Sequence, residues 1–180
     1  MRYIEKKIKT ELKKLLDDNG MKVSSIGSGY GKINIKDDFE PHFEAFKQTV
    51  EVAKVLETKY IRMFSFFFTK GQSRDEYKDE VYARLNAMVD YANENGILCC
   101  HENEKGIYGD TADRCLDLMK HFYGPNYKGV FDPANFIQTG EDTKRAYEDL
   151  ERDGFIESVV GKGSFVKAVN NEIMKESILF

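Results

Sequence analysis

The chain contains no tryptophan, only three prolines, and three cysteines at positions 99, 100 and 115. An odd cysteine count without framework spacing argues against a disulfide scaffold and for reduced thiols. No uninterrupted apolar run approaches the roughly 18 residues that a membrane span needs. The opening residues are too charged for a secretory signal peptide, so a cytoplasmic location is expected. A formal net charge of −4 leaves no global basic field to attract nucleic acid or an anionic membrane. The Gly27-Ser28-Gly29-Tyr30-Gly31 stretch lacks the lysine and Ser/Thr of a P-loop, and its spacing is not a dinucleotide fingerprint. It reads as a flexible loop rather than a phosphate cradle.

What is present is a regular alternation. Ile4, Ile8, Leu12, Leu15 and Leu16 fall at helical spacing over residues 2–19, and Gly20 is the expected stop. Met21 to Ile26 then reads as a short strand. Phe39, Phe43, Phe46, Val50, Ala53 and Leu56 form a second stripe, which is a core face rather than a ligand box. His42 falls beside that stripe with no assigned role. Tyr60 to Ser65 reads as the next strand, interrupted by Arg62. That arginine either holds a carboxylate inside the sheet or faces an anionic substrate. Ser73 is the expected cap of a third helix carrying Tyr77, Val81, Leu85, Met88 and Ala92. A fourth helix starts at Asp110 or Thr111, with His121 near its C-terminal end.

Strands are therefore expected to begin near positions 22, 60, 97 and 129, each separated from the next by one amphipathic helix. One crossover helix per strand implies a parallel sheet with right-handed connections. Either an open doubly wound sheet or part of a (β/α)₈ barrel fits. A full barrel needs about 250 residues, so about four βα units make half a barrel at most.

Two strands end in chemistry. Ile97-Leu98-Cys99-Cys100 runs straight into His101-Glu102-Asn103-Glu104, and Gly129-Val130-Phe131 runs into Asp132-Pro133-Ala134-Asn135. Ionisable groups at strand C-termini mark the active-site face of a (β/α) enzyme. Alternation puts Leu98, Cys100 and Glu102 on one strand face and Cys99, His101 and Asn103 on the other. Glu104 is expected to be solvated or capping.

With the runs at 15–26 and 60–65, these motifs resemble the sugar phosphate isomerase/epimerase family, the xylose-isomerase-like TIM barrels, over about residues 1–143. The resemblance implies a divalent metal (Mg, Mn, Zn or Co) held by side chains at the ends of several barrel strands, and a sugar or sugar phosphate substrate. It implies that Glu102 is the first metal-binding Glu and Asp132 the metal-binding Asp, both also catalytic. Asn135 stands where many members carry a His near the substrate, and Arg62 and His101 are further candidate substrate contacts. Two hard oxygen ligands on neighbouring strand ends suit such an ion. The strands that supply the family's remaining His and Glu ligands have no counterpart, which leaves half of a metal site.

After Thr143 the pattern changes. A helix runs to Arg152, Gly154 stops it, and two short strands flank Gly161-Lys162-Gly163. This stretch resembles the end of the winged helix-turn-helix of GntR-family transcription regulators. That resemblance implies DNA contacts from Lys144, Arg145, Tyr147 and Lys162. The expected architecture is thus a partial (β/α) TIM-barrel-like parallel sheet over residues 1–142, joined to a helix, a β-hairpin wing and a tail helix over 143–180. The expected function is that of a sugar phosphate isomerase/epimerase-like protein, truncated and of doubtful turnover. The alternatives are a DNA-binding regulator remnant and a non-catalytic chimera. Open sheet edges lead to the expectation of a homo-oligomer.

Overall fold

The alternation is realised in a computed structural model that describes residues 2–122, 124–153, 156–159 and 163–166, with side chains described over 10–122 and 124–153. The elements are α1 (Arg2–Asp18), β1 (Ile26–Tyr30), α2 (Phe39–Val55), β2 (Tyr60–Met63), α3 (Lys78–Glu94), β3 (Leu98–Glu102), α4 (Ala112–Phe122) and β4 (Tyr127–Val130). They are followed by α5 (Pro133–Thr139), α6 (Thr143–Arg152), β5 (Ile156–Val159) and β6 (Gly163–Val166). Among the described residues no helix is long and apolar enough to cross a membrane.

The four-stranded sheet has the order β1-β2-β3-β4 and is parallel throughout. Each strand pairs with its neighbour in sequence, so the winding never reverses. A doubly wound sheet must reverse at a switch point. The sheet is therefore an arc of barrel, with successive right-handed crossovers placing their helices on one side.

Burial follows that division. Ile61, Met63, Cys99, His101 and Tyr127 face the helices and are almost fully buried, whereas Arg62, Cys100, Glu102 and Lys128 alternate with them on the concave face. The helices answer with Phe46, Val50 and Ala53 of α2, Val81, Leu85, Met88 and Ala92 of α3, and Leu116, Leu118, Met119 and Phe122 of α4. Each large side chain fully buried here contributes roughly 1.5–3 kcal/mol of transfer free energy. The α2 stripe is core, as its spacing indicated.

Three local expectations are corrected. First, the glycine-rich stretch is not a loop: Ile26 to Tyr30 is β1 itself, and the 21–25 segment expected as strand lies outside it. Ile26, Ser28 and Tyr30 turn toward the helices, which leaves Gly27 and Gly29 on the concave face with no side chain to reveal the alternation. Ser28 donates to the Arg62 carbonyl and Tyr30 Oη to the Ala45 carbonyl at 2.7 Å. Second, α3 starts at Lys78, not at Ser73, whose hydroxyl instead accepts from Glu76 N at 3.4 Å in the preceding turn. Third, Leu12 and Leu15 of α1 are exposed rather than buried.

At β4 the chain turns at once into α5, a helix not expected from the sequence. Asp132 caps it, Pro133 fills its first turn, and Gly140 ends it in the left-handed conformation at φ 81°. Asp142 then caps α6 by accepting from Lys144 N and Arg145 N. Ala146 packs with Ala112, Cys115 and Phe136, and Leu150 joins the main core. The β5–β6 hairpin is antiparallel, pairing Ile156 with Val166 and Val159 with Gly163. Lys162 and the expected tail helix from Asn170 lie outside the described residues.

Candidate functional site

The C-terminal strand ends of the arc bring Glu102 and Arg62 together. Arg62 Nη1 donates to Glu102 Oε2 at 3.1 Å, across the β2–β3 boundary. The other limbs of the guanidinium, Nε and Nη2, donate to the Ser28 carbonyl at 3.4 and 3.3 Å. Arg62 therefore spans three strands, lying over a β1 that presents glycines on this face. Its carboxylate partner keeps only 13% of its side chain exposed. Of the two readings offered by the interrupted apolar run, the structure shows the paired carboxylate.

Two residues after Arg62 and just past the end of β2 is Phe64, fully buried and outside the helix-side core cluster. Arg62 Cζ lies 5.2 Å from its ring centroid and Lys32 Nζ 4.1 Å. Lys32 in turn is ion-paired with Glu104, which is thus neither freely solvated nor a cap. The face carries two ion pairs, Glu102 with Arg62 and Glu104 with Lys32, whose cations share one aromatic ring. Sequence reasoning missed Lys32 and Phe64, because their proximity to Glu104 and Arg62 depends on strand order rather than on spacing.

Asp132 occupies the next strand end. Val130 is in register with Glu102, so Asp132 lies two residues beyond it on the same strand face. Its Oδ1 accepts from Ala134 N at 2.8 Å and Asn135 N at 3.2 Å, and its Oδ2 from Asn135 Nδ2 at 3.1 Å. Asn103 clasps the same turn, accepting from Asp132 N at 2.7 Å and donating to the Asp132 carbonyl at 2.9 Å. Asn135 Nδ2 also donates to the Asn103 carbonyl at 2.8 Å. The structure thus joins Asp132 with Asn135, and Glu102 with Arg62, as two neighbouring clusters.

His101 belongs to neither. It is 2% exposed on the helix side of β3, with Nε2 at 2.9 Å from Ser65 Oγ, which also accepts from Gly109 N at 2.8 Å. Burial pushes its imidazole down to about 3, so it is neutral in the folded protein. Its enclosure on the far face corrects the expectation of a substrate contact. Cys100 does face the concave side beside Lys128, but burial pushes its thiol up to about 11, with Lys128 offsetting only part of that. It is no nucleophile at neutral pH.

A divalent cation does not fit these residues as they stand. Among the described residues no three His, Cys, Asp or Glu side chains converge to hold a metal ion. Glu102 spends an oxygen on Arg62, and Asp132 spends both on the start of α5.

Of the residues expected at DNA, Lys144 and Arg145 are exposed but answered locally, Tyr147 is half-buried, and Lys162 lies outside the described residues. Lys144 pairs with Glu148 and Arg145 with Asp149, each at 3.6 Å along α6. Tyr147 lies edge-on to Phe131, with centroids 5.9 Å apart. A helix that balances its own cations leaves little charge for phosphates.

Known structures share the fold. The probable 3-DHS dehydratase AsbF of Bacillus anthracis matches 96% of this chain and 72% of its own, at TM-score 0.67 and 19% identity. A D-tagatose 3-epimerase-like protein matches 81% of this chain and 57% of its own, at TM-score 0.66 and 20% identity. The IOLI protein with a binding zinc atom matches 78% of this chain and 52% of its own, at TM-score 0.64 and 16% identity. The chain thus spans little more than half the length of the last two, and at these identities the likeness is one of fold. No curated protein matches the sequence. The family match runs through the expected junction at 141–143, and a GntR-type winged helix is not shown. Matched over residues 1–170, with strand order and helix placement to correspond, the chain belongs to the xylose isomerase-like TIM barrel family.

Proposed function

We propose that the C-terminal strand face carries an isomerase/epimerase-type proton-transfer site for a polyhydroxy carbonyl compound, a sugar or its phosphate. Glu102 is the carboxylate that moves the proton, and Arg62 orients it. The observation that supports this reading most is the Arg62–Glu102 pair at the end of β3, an inner strand of the arc. Membership of the family agrees with it.

The chemistry asks for a base beside an acidic C–H. Arg62 fixes Oε2, so Oε1 is the oxygen left to approach a C–H next to the substrate carbonyl. The C–H electron pair moves into an enediolate as the proton passes to the carboxylate. Returning that proton to the same carbon or its neighbour gives epimerisation or isomerisation. Asp132 and Asn135 border the site on the β4 side as candidate contacts to substrate hydroxyls. Polarising the carbonyl calls for a further electrophile that the described residues do not supply. Slow proton exchange at the carbon next to the carbonyl is therefore the expected outcome.

Deuterium wash-in tests this directly. Aldoses, ketoses and their phosphates incubated with the protein in D₂O are followed by proton NMR at the carbon next to the carbonyl. Exchange that is abolished in Glu102→Gln supports the reading. A panel with no wash-in overturns it and leaves a non-catalytic folded unit.

The reading extends to assembly. Among the described residues β1 pairs only with β2, and β4 only with β3, so both outer edges keep backbone groups for another partner. A second copy is the expected cover, and light scattering that reports a stable monomer at micromolar concentration counts against it.

A further inference from the structure

We infer that Arg62 is the built-in counter-ion of Glu102 and holds divalent cations off this strand end, so that the site is charge-balanced without a metal. The inference takes Glu102 as the working carboxylate, as proposed above, and adds what controls access to it.

Arg62 is held from both sides. Nη1 donates to Glu102 at 3.1 Å while Nε and Nη2 donate to the Ser28 carbonyl, and the guanidinium lies 5.2 Å from the Phe64 ring centroid. A Cβ added at Gly27 or Gly29 would meet nothing within 4 Å, so the β1 wall beside the guanidinium is bare backbone. The sheet has room for this fork because β1 presents no side chains there. A planar, permanently charged guanidinium with several fixed donors is far less easily displaced than a single flexible ammonium.

The other carboxylates of the face are also engaged. Glu104 pairs with Lys32, and Asp132 is committed to the first turn of α5. A divalent ion at Glu102 would have to sit within a few ångströms of the guanidinium and would find, among the described residues, no second carboxylate of this face without hydrogen-bond or ion-pair partners. Like charge at that distance opposes binding strongly in a part-buried site. Arg62 thus takes the electrostatic place that a metal takes at a carboxylate cluster.

Titration of the intact protein with Mn²⁺, read by the EPR signal of the free ion and without substrate, tests the inference. Wild type is expected to show no saturation below about 1 mM, the weak end of carboxylate sites. Arg62→Met, which keeps an apolar stem over Phe64, is expected to bind at least about tenfold more tightly, the size of effect that charge next to a ligand set produces. Adding Glu102→Gln should remove that gain. If Arg62→Met loses its circular dichroism signature, Arg62→Gln retains a donor toward Ser28 and is expected to show the same gain. One tight Mn²⁺ per wild-type chain overturns the inference, as does an unchanged or weaker affinity in the folded Arg62 variant. Because no substrate is present, failure here is distinct from failure of deuterium wash-in.

Discussion

At the scale of single residues, Gly31 is the most constrained. It sits at φ 87°, and a Cβ there would lie 2.0 Å from the Phe64 carbonyl oxygen. Its own N–H donates to His42 Nε2 at 2.8 Å, and its carbonyl accepts from Phe66 N at 2.8 Å. Gly31→Ala is expected to cost more than about 2 kcal/mol, since it adds both a clash and a disfavoured conformation. Urea denaturation monitored by circular dichroism measures it. The buried His101 and the half-buried His42 set an acid limit. His42 must be neutral to accept from Gly31, and burial, with Arg84 nearby, lowers its pKa. Burial lowers His101 further, to about 3. Both folded values lie below the unfolded value of about 6.5, so the unfolded chain binds protons first as pH falls. The stability these imidazoles contribute is fully present above about pH 6.5 and is lost progressively toward pH 3. The urea midpoint is expected to drop across that window, and His101→Gln should flatten part of the slope.

At the scale of elements, Asp132 separates structure from chemistry. As the cap of α5 it supports the helix by roughly 1 kcal/mol, a contribution that Asp132→Ala removes. Asp132→Asn retains a good cap and removes the charge, so it should melt within a degree or two of wild type while altering any wash-in. Equal loss of stability in both variants would contradict the capping role. These elements also show what a sequence discloses. β3 was legible because an apolar run after Gly96 ends abruptly in ionisable residues, and α2 because its aromatic stripe has helical spacing. β1 was misread because its inner face is glycine, which carries no pattern. The start of α3 was misplaced because Ser73 satisfies a local turn instead of the helix. Within the site, Glu102 and Asp132 could be found as strand-end carboxylates. Their engagement with Arg62 and α5 could not, since it depends on three-dimensional register. His101 was misjudged for a simpler reason: alternation put it opposite Glu102, yet its chemistry invited a role that burial denies.

At the scale of the whole molecule, the inner strands carry the core. β2 and β3 are each paired on both sides and lie beneath α2, α3 and α4, whereas β1 and β4 are edges among the described residues. Native-state hydrogen exchange is expected to be slowest in β2 and β3, and faster by an order of magnitude or more in β1 and β4. Uniform protection across all four strands would mean that both edges are covered in solution. A second polar network braces the outside. Asp117 accepts from Lys78 at 2.6 Å, Tyr108 at 2.6 Å and Tyr82 at 2.5 Å, while His121 stacks on Tyr82 at 4.0 Å between centroids. It ties α3 to α4 on the side away from the concave face, so variation there is expected to change stability without touching the strand ends.

The unreversed strand order has a further consequence for engineering. A sheet wound in one direction grows at its borders by simple addition, with no chain threaded through what already exists. Additional βα units fused or supplied in trans at the β4 border would meet a ready template of backbone donors and acceptors. The arc is in that sense open to addition, suited to complementation assays in which separately expressed βα units dock on its border.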